Sequence, residues 1–395
     1  MAWRGFIQWT KEELCSSSTL FTKTRFSLHP QQRCGFRKAQ RKPEIRKENP
    51  EQNPASDLGE AAAKKKTHPG SSVPPPRKPG QLFRPLVFTV GFTGCSFGAA
   101  AILQYESVKF RVETAMEEAK EEKLKKHEQS HDTAYWHNWW NQLSDFQKQM
   151  IVLMSVVDDW WSRKTEGQKT VMGVIALNTV VLCCWRIPYM QRSMLKYFTS
   201  NPASKTRCLP MVLSSFSHYS ILHMMANMYV LWTFSTSVVS LLGREQFLAV
   251  YLSGGVFSTF ISYICKTATG RLGPSLGASG AVMTVLAAVC TKMPEAQLGI
   301  VLLPMLSFTA GTALKALVAF DTVGLLLGWR MLDHAAHLGG ALFGLWYISY
   351  GHGLIWRKRE PLVKFWHDLR RGPSGGAPPG GGTSLQLIPK VSSGV

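Results

Sequence analysis

The chain has 395 residues, 45% of them hydrophobic, and a formal net charge of +20. The apolar residues concentrate between about positions 82 and 351, in blocks near the roughly 20 residues that a helix needs to cross a bilayer core, which favours a membrane domain over a soluble one. The first 84 residues hold 17 Lys/Arg against 7 Asp/Glu; beside a multi-span pattern with no nucleic-acid-binding module, that charge suits organelle import or anionic lipid and makes nucleic acid an unsuitable partner.

The eight cysteines (Cys15, Cys34, Cys95, Cys183, Cys184, Cys208, Cys265 and Cys290) form no CxxC pair and partly lie inside apolar blocks. That excludes a disulfide framework or a cysteine zinc site, and fits cysteine used as a small hydrophobe. Residues 1–42 set nine Lys/Arg against Glu12 and Glu13, with frequent Ser/Thr and no long apolar core. This is the composition of a mitochondrial transit sequence, with a disordered basic tail as the alternative. Residues 43–80 are rich in Pro, Lys and Gly, so 1–80 reads as targeting sequence and disordered linker.

An extra transmembrane helix is predicted within 81–106, its uncharged block running from Pro85 to Tyr105 with small residues Gly91, Gly94, Gly98 and Ala99 suited to close helix packing. Residues 107–168 form a charged and Trp-rich segment. Glu113 to Glu128 alternates acids and lysines, as in a solvated helix, and Trp136, Trp139, Trp140, Trp160 and Trp161 suit a membrane interface; a small soluble helical hairpin is the alternative. Within 169–352 six spans follow: about Lys169–Trp185, His218–Leu242, Phe247–Cys265, Gly277–Lys292, Thr309–Trp329 and Met331–Tyr350. The apolar block Leu298–Leu306, interrupted by Pro304, reads as a re-entrant or interfacial segment, or as an extension of the fifth of these spans. Residues 353–395 form a basic, Gly/Pro-rich tail expected to be disordered.

Polar groups inside apolar spans are costly and are functional candidates by default. Here they are His218, His223, Asn227, Ser279, Lys315, Asp321, Asp333, His334 and His337. Ser279 lies in Gly277-Ala278-Ser279-Gly280-Ala281, where glycine permits a tight turn and the free N–H groups of a helix start can stabilise an oxyanion. Gly340 and Gly344 follow His337 by three and seven residues and share its helix face, which allows a small-residue neighbour such as the Ser279 helix to come close. His223 and Asn227, four apart, share a face and suit either an oxyanion hole or interhelical glue. A metal site reads as weak, because the only carboxylate placed near the histidines by sequence is Asp333.

Together, His223-Met-Met-Ala-Asn227, Gly277-Ala-Ser279-Gly280 and Ala336-His337-x-x-Gly340-x-x-x-Gly344 resemble the rhomboid family of intramembrane proteases, in that family's order on the second, fourth and sixth core helices. Trp185-Arg186 and the Gly243-Arg244 turn also fit, and the likeness covers about residues 169–352. The basic leader and the additional span resemble the mitochondrial members. The resemblance implies an all-α membrane protein with one extra helix before a six-helix core (1+6), acting as a serine endopeptidase without metal or cofactor. It implies Ser279 as nucleophile and His337 as general base and acid, with His223 and Asn227 stabilising the oxyanion. Gly277, Gly280, Gly340 and Gly344 would support helix packing. It implies a Ser–His dyad, leaving Asp333 to mark a helix start and His218 to line a water route. Substrates would be transmembrane segments of single-pass mitochondrial proteins within the lipid bilayer, with links to mitophagy and apoptosis. The five basic and no acidic residues of Arg186–Cys208 favour the matrix side for that loop, with the N-terminus in the matrix and the C-terminus in the intermembrane space. A membrane transporter and an inactive rhomboid-like scaffold are the rival readings.

Overall fold

The computed structural model describes residues 82–125, 138–300 and 303–371. Residues 138–144, of which 138–142 form a short helix, belong to a separate unit; all that follows concerns the unit that holds the described residues 82–125, 145–300 and 303–371. The transit-like region and the final tail from 372 lie outside the described residues.

The elements are helical with one exception. Helix α1 (Phe83–Lys125) is followed by α2 (Asp145–Ser162), α3 (Glu166–Cys184), the short α4 (Gln191–Tyr197) and α5 (Cys208–Leu213), then α6 (Ile221–Leu242), α7 (Arg244–Thr269) and α8 (Ser279–Lys292). A hairpin of β1 (Gln297–Ile300) and β2 (Leu303–Thr309) precedes α9 (Ala310–Leu327), α10 (His334–Trp346) and α11 (Glu360–Arg371). A π-helical stretch, Tyr347–Trp356, prolongs α10. Among the described residues, five helices (α1, α3, α6, α7 and α9) are long and apolar enough to cross a membrane. Their outward faces carry side chains such as Val90, Leu222 and Leu326, each at least 67% exposed, a surface that suits lipid rather than water.

Helix α8 is the centre. Apart from Thr284 its middle is apolar on all sides, and every residue from Gly280 to Cys290 is buried. Around it stand α6, α7, α9 and α10, with α1 against the far side of α7 and α3 against α6. At 14 residues α8 spans only about 21 Å, short of a bilayer core. Its first residue, Ser279, therefore falls inside the bundle.

Three expectations are corrected by these elements. The all-α reading omits the hairpin: in the block Leu298–Leu306 the described residues lie in two antiparallel strands, with Leu298 paired to Phe308 and a bulge at Gly299/Ile300, so the block does not lengthen the helix that follows. Pro304 cannot continue a helix, and a short apolar run is ambiguous between helix and strand. The boundary at 106/107 is not structural, because α1 runs unbroken to Lys125. Part of the tail is ordered, as α11. Its Trp366 Nε1 donates to Glu106 Oε1 at 2.8 Å, Arg370 pairs with the same carboxylate, and Tyr105 meets His367, so α11 is pinned to α1.

Candidate active site

Ser279 is the first residue of α8, delivered by a turn that only glycine makes easily: Gly277 has φ +140°. The turn is tied back by Gly277 N–H donating to the Ser214 carbonyl at 3.0 Å. His337 lies one turn into α10. Its Nε2 sits 2.8 Å from Ser279 Oγ. Two backbone features make that distance possible. A Cβ on Gly340 would collide with the Gly280 carbonyl, and one on Gly344 would collide with the Thr284 carbonyl, so α8 and α10 touch backbone to backbone. Thr284 Oγ1 bridges the seam, donating to Gly340 O at 3.0 Å and lying 3.1 Å from Gly280 O. On the other side of α8, Gly280 sits against Ser258 of α7.

His223 and Asn227 reach the same place from α6. A Cβ on Gly277 would lie 2.9 Å from His223 Cε1 and 3.7 Å from Ser279 Oγ, so the imidazole and the hydroxyl flank one point. Asn227 Nδ2 donates to the His223 carbonyl at 2.9 Å and approaches His218 Nε2 at 3.3 Å. The Ala278 N–H also points at His218 Nε2, 3.3 Å away. Two donors on one ring nitrogen require its lone pair, which places the His218 proton on Nδ1. That buried Nδ1 has no partner among the described residues. Trp185 Nε1 donates to Ser217 Oγ at 2.8 Å and the Arg186 guanidinium to the Tyr219 carbonyl at 3.1 Å, so the Trp-Arg pair braces the loop bearing His218.

Asp333 marks a helix start: its Oδ1 accepts from Ala336 N–H at 3.1 Å as the N-cap of α10. Its Oδ2 accepts from Ser262 Oγ at 2.6 Å and pairs with Lys266 Nζ at 2.9 Å. Lys266 also donates to Ser275 Oγ at 2.7 Å, and Ser275 is bridged to Ser200 by paired backbone bonds. The loop before Ser279 and the start of the His337 helix thus share one lysine. Lys315 is exposed on α9 and takes no part in this cluster.

The expectation that no carboxylate but Asp333 lies near the histidines is overturned. Asp321 of α9, 2% exposed, brings Oδ1 to 2.9 Å from His337 Nδ1 and 2.7 Å from His334 Nδ1. Gly324, one turn on, leaves space for the His334 ring, where a Cβ would collide. Asp321 with Gly324 is an acid and a small residue at i, i+3 in a mostly apolar helix, the same signal that singles out His337 with Gly340. Asp321, His334 and His337 are also the three residues whose ligand atoms, all within 4.8 Å of one another, offer a metal-binding cluster among the described residues.

Residues 205–353 match the Rhomboid domain, an interval that contains every side chain of this cluster except Trp185, Arg186 and the Ser200 end of the lysine network. The chain is 70% identical over 386 residues to presenilin-associated rhomboid-like protein A, mitochondrial, of Danio rerio, covering 97% of this chain and 100% of the relative. It is 51% identical over 398 residues to the Homo sapiens presenilin-associated rhomboid-like protein, mitochondrial, covering 95% and 99%. Rhomboid protein 1, mitochondrial, of Saccharomyces cerevisiae is 34% identical over 193 residues, or 47% of this chain and 55% of that one.

Proposed function

The chain belongs to the rhomboid family, among the presenilin-associated rhomboid-like proteins, and from this we propose that it is an intramembrane serine endopeptidase of the mitochondrial inner membrane. One observation carries the reading: a half-buried serine hydroxyl at a helix start, 2.8 Å from a histidine nitrogen on the neighbouring helix.

In the proposed reaction Ser279 Oγ attacks the scissile carbonyl carbon while His337 Nε2 takes the hydroxyl proton. The new C–O bond leaves the carbonyl electrons on an oxyanion, for which the Ser279 N–H at the start of α8 and the His223 ring serve as donors. Asn227 joins them by releasing the longer of its two contacts, the 3.3 Å approach to His218. Collapse breaks the C–N bond, and His337 returns its proton to the leaving amine. Water, deprotonated by the same nitrogen, then hydrolyses the ester and regenerates the serine.

Six spans after α1 give the 1+6 arrangement in this reading: α8 enters as a short central helix and α10, with its π-helical extension, completes the core. The substrate is a transmembrane segment of a single-pass protein, with helix-breaking residues near the scissile bond because a helical peptide bond is shielded by its own hydrogen bonding. By family resemblance its cleavage bears on mitophagy and apoptosis. The matrix-facing loop Arg186–Cys208 puts the N-terminus in the matrix and the C-terminus in the intermembrane space; protease accessibility of tags at the two ends tests that orientation. The activity itself is tested by cleavage of a single-pass reporter in proteoliposomes. Loss in both Ser279→Ala and His337→Ala, with membrane insertion retained, is the expected result; full activity in either variant sinks the assignment.

A further inference from the structure

We propose that Asp321 is a third member of the catalytic group, a positioning residue that sets the tautomer of His337 and is itself aimed by His334, so that this chain works as a Ser–His–Asp triad rather than the dyad its family resemblance implies. The proposal rests on the Ser279–His337 reading and adds to it.

The chain of contacts is continuous. Ser279 Oγ meets His337 Nε2 at 2.8 Å, and His337 Nδ1 meets Asp321 Oδ1 at 2.9 Å. A neutral imidazole has one N–H and one lone pair, and the partner of one nitrogen decides which is which. A carboxylate accepts and does not donate, so it draws the proton to Nδ1 and leaves the Nε2 lone pair facing the serine. When His337 then takes the serine proton, the resulting imidazolium lies beside a buried anion, which stabilises it more in a low-dielectric interior than water would.

Asp333, the other acid nearby, is fully committed to the α10 N-cap, Ser262 and Lys266. Among the described residues no Lys or Arg pairs with Asp321. Its second donor to Oδ1 is His334, 3% exposed, its ring flanked by Phe320 at 5.7 Å and Trp329 at 6.0 Å between centroids. His334 meets the carboxylate through Nδ1 while its ring packs on Phe320 and Trp329, so its part is to fix Asp321 rather than to act on the serine. The dull alternative is that Asp321 merely joins α9 to α10 through His334, and the two accounts differ in what the variants do.

The test compares wild type, Asp321→Asn, Asp321→Glu, His334→Gln and Ser279→Ala in proteoliposomes, reading kcat, KM and the thermal midpoint, with nitrogen NMR of labelled histidine to read the His337 tautomer. Asp321→Asn keeps the side-chain shape but can donate to Nδ1, which favours the wrong tautomer. The expected result is a kcat loss of about 10²–10⁴-fold with KM within about threefold. The Nδ1–H form of His337 should be lost, with partial rescue in Asp321→Glu. His334→Gln, acting one step further out, should cost at most about tenfold. The proposal is overturned if Asp321→Asn keeps kcat within about threefold of wild type, or if Asp321→Asn and His334→Gln lose kcat and thermal midpoint in parallel. If Ser279→Ala cleaves as well as wild type, the protease reading falls and takes the triad with it; an inactive Ser279→Ala beside a fully active Asp321→Asn removes the triad alone.

Discussion

The Thr284 hydroxyl reaches across from the serine helix to the Gly340 carbonyl of the histidine helix at 3.0 Å, fastening the two backbones one turn below the candidate active site. Thr284→Val keeps the shape and removes that bond, leaving the Gly340 carbonyl with its intrahelical partner. The expected loss is about 0.6–1.5 kcal/mol of stability, the range for a single hydrogen bond in water or between membrane helices. Unfolding in bicelles measures it, and activity at saturating reporter should fall only in step with the folded fraction.

Gly340→Ala should be far more damaging than its single methyl suggests. The new Cβ meets the Gly280 backbone carbonyl, which cannot rotate aside as a side chain would, so α10 must shift relative to α8. Displacing His337 by about 1 Å is enough to cost about a hundredfold in rate. Gly94→Ala on α1 is the matched control: nothing lies within 4 Å of a Cβ there, and its activity should equal wild type.

Lys266 and Asp333 are mostly buried, 16% and 17% exposed, and 2.9 Å apart. Removing one leaves the other a partly buried charge with reduced compensation. A double-mutant cycle with Lys266→Met and Asp333→Asn should give a coupling of about 1–3 kcal/mol, below the cost of breaking a fully buried pair. Asn still caps a helix, so the cycle isolates the charge pairing from the N-cap.

The cluster of Asp321, His334 and His337 has ligand atoms close enough for an ion. If its contacts are N–H donors on a carboxylate, cleavage in proteoliposomes treated with EDTA or 1,10-phenanthroline should match the untreated sample. Loss of activity restored by added zinc would instead assign the cluster to a metal.

Much of the candidate site can be read from sequence because a bilayer makes polar residues conspicuous and helical periodicity gives their faces. Ser279 among small residues, and His337 with Gly340 and Gly344, are legible on those grounds, and the structure brings them together. Asp321 was equally conspicuous, but which histidine it faces depends on how α9 leans on α10, and that is settled by packing around Gly324 and the Trp329 and His334 rings. Asn227 shows the same limit in reverse. Its helix face was readable, whereas the commitment of its amide to His218 and the His223 carbonyl was not, since His218 lies in a loop whose path depends on Trp185 and Arg186. The hairpin after α8 was hidden by the ambiguity of short apolar runs.

Helix α1 carries its own mechanical consequence. Its 43 residues make a rod of about 65 Å, roughly twice a bilayer core. The hydrogen bonds from Trp366 and Arg370 grip it at Glu106, near its midpoint, like a collar. The stretch beyond the collar is a pointer about 30 Å long, so a tilt of about 10° at Glu106 would sweep its tip by about 5 Å. A spin label or fluorophore on that outer arm would therefore magnify motions of the helix that braces α7, making small rearrangements beside the candidate active site visible from well outside it.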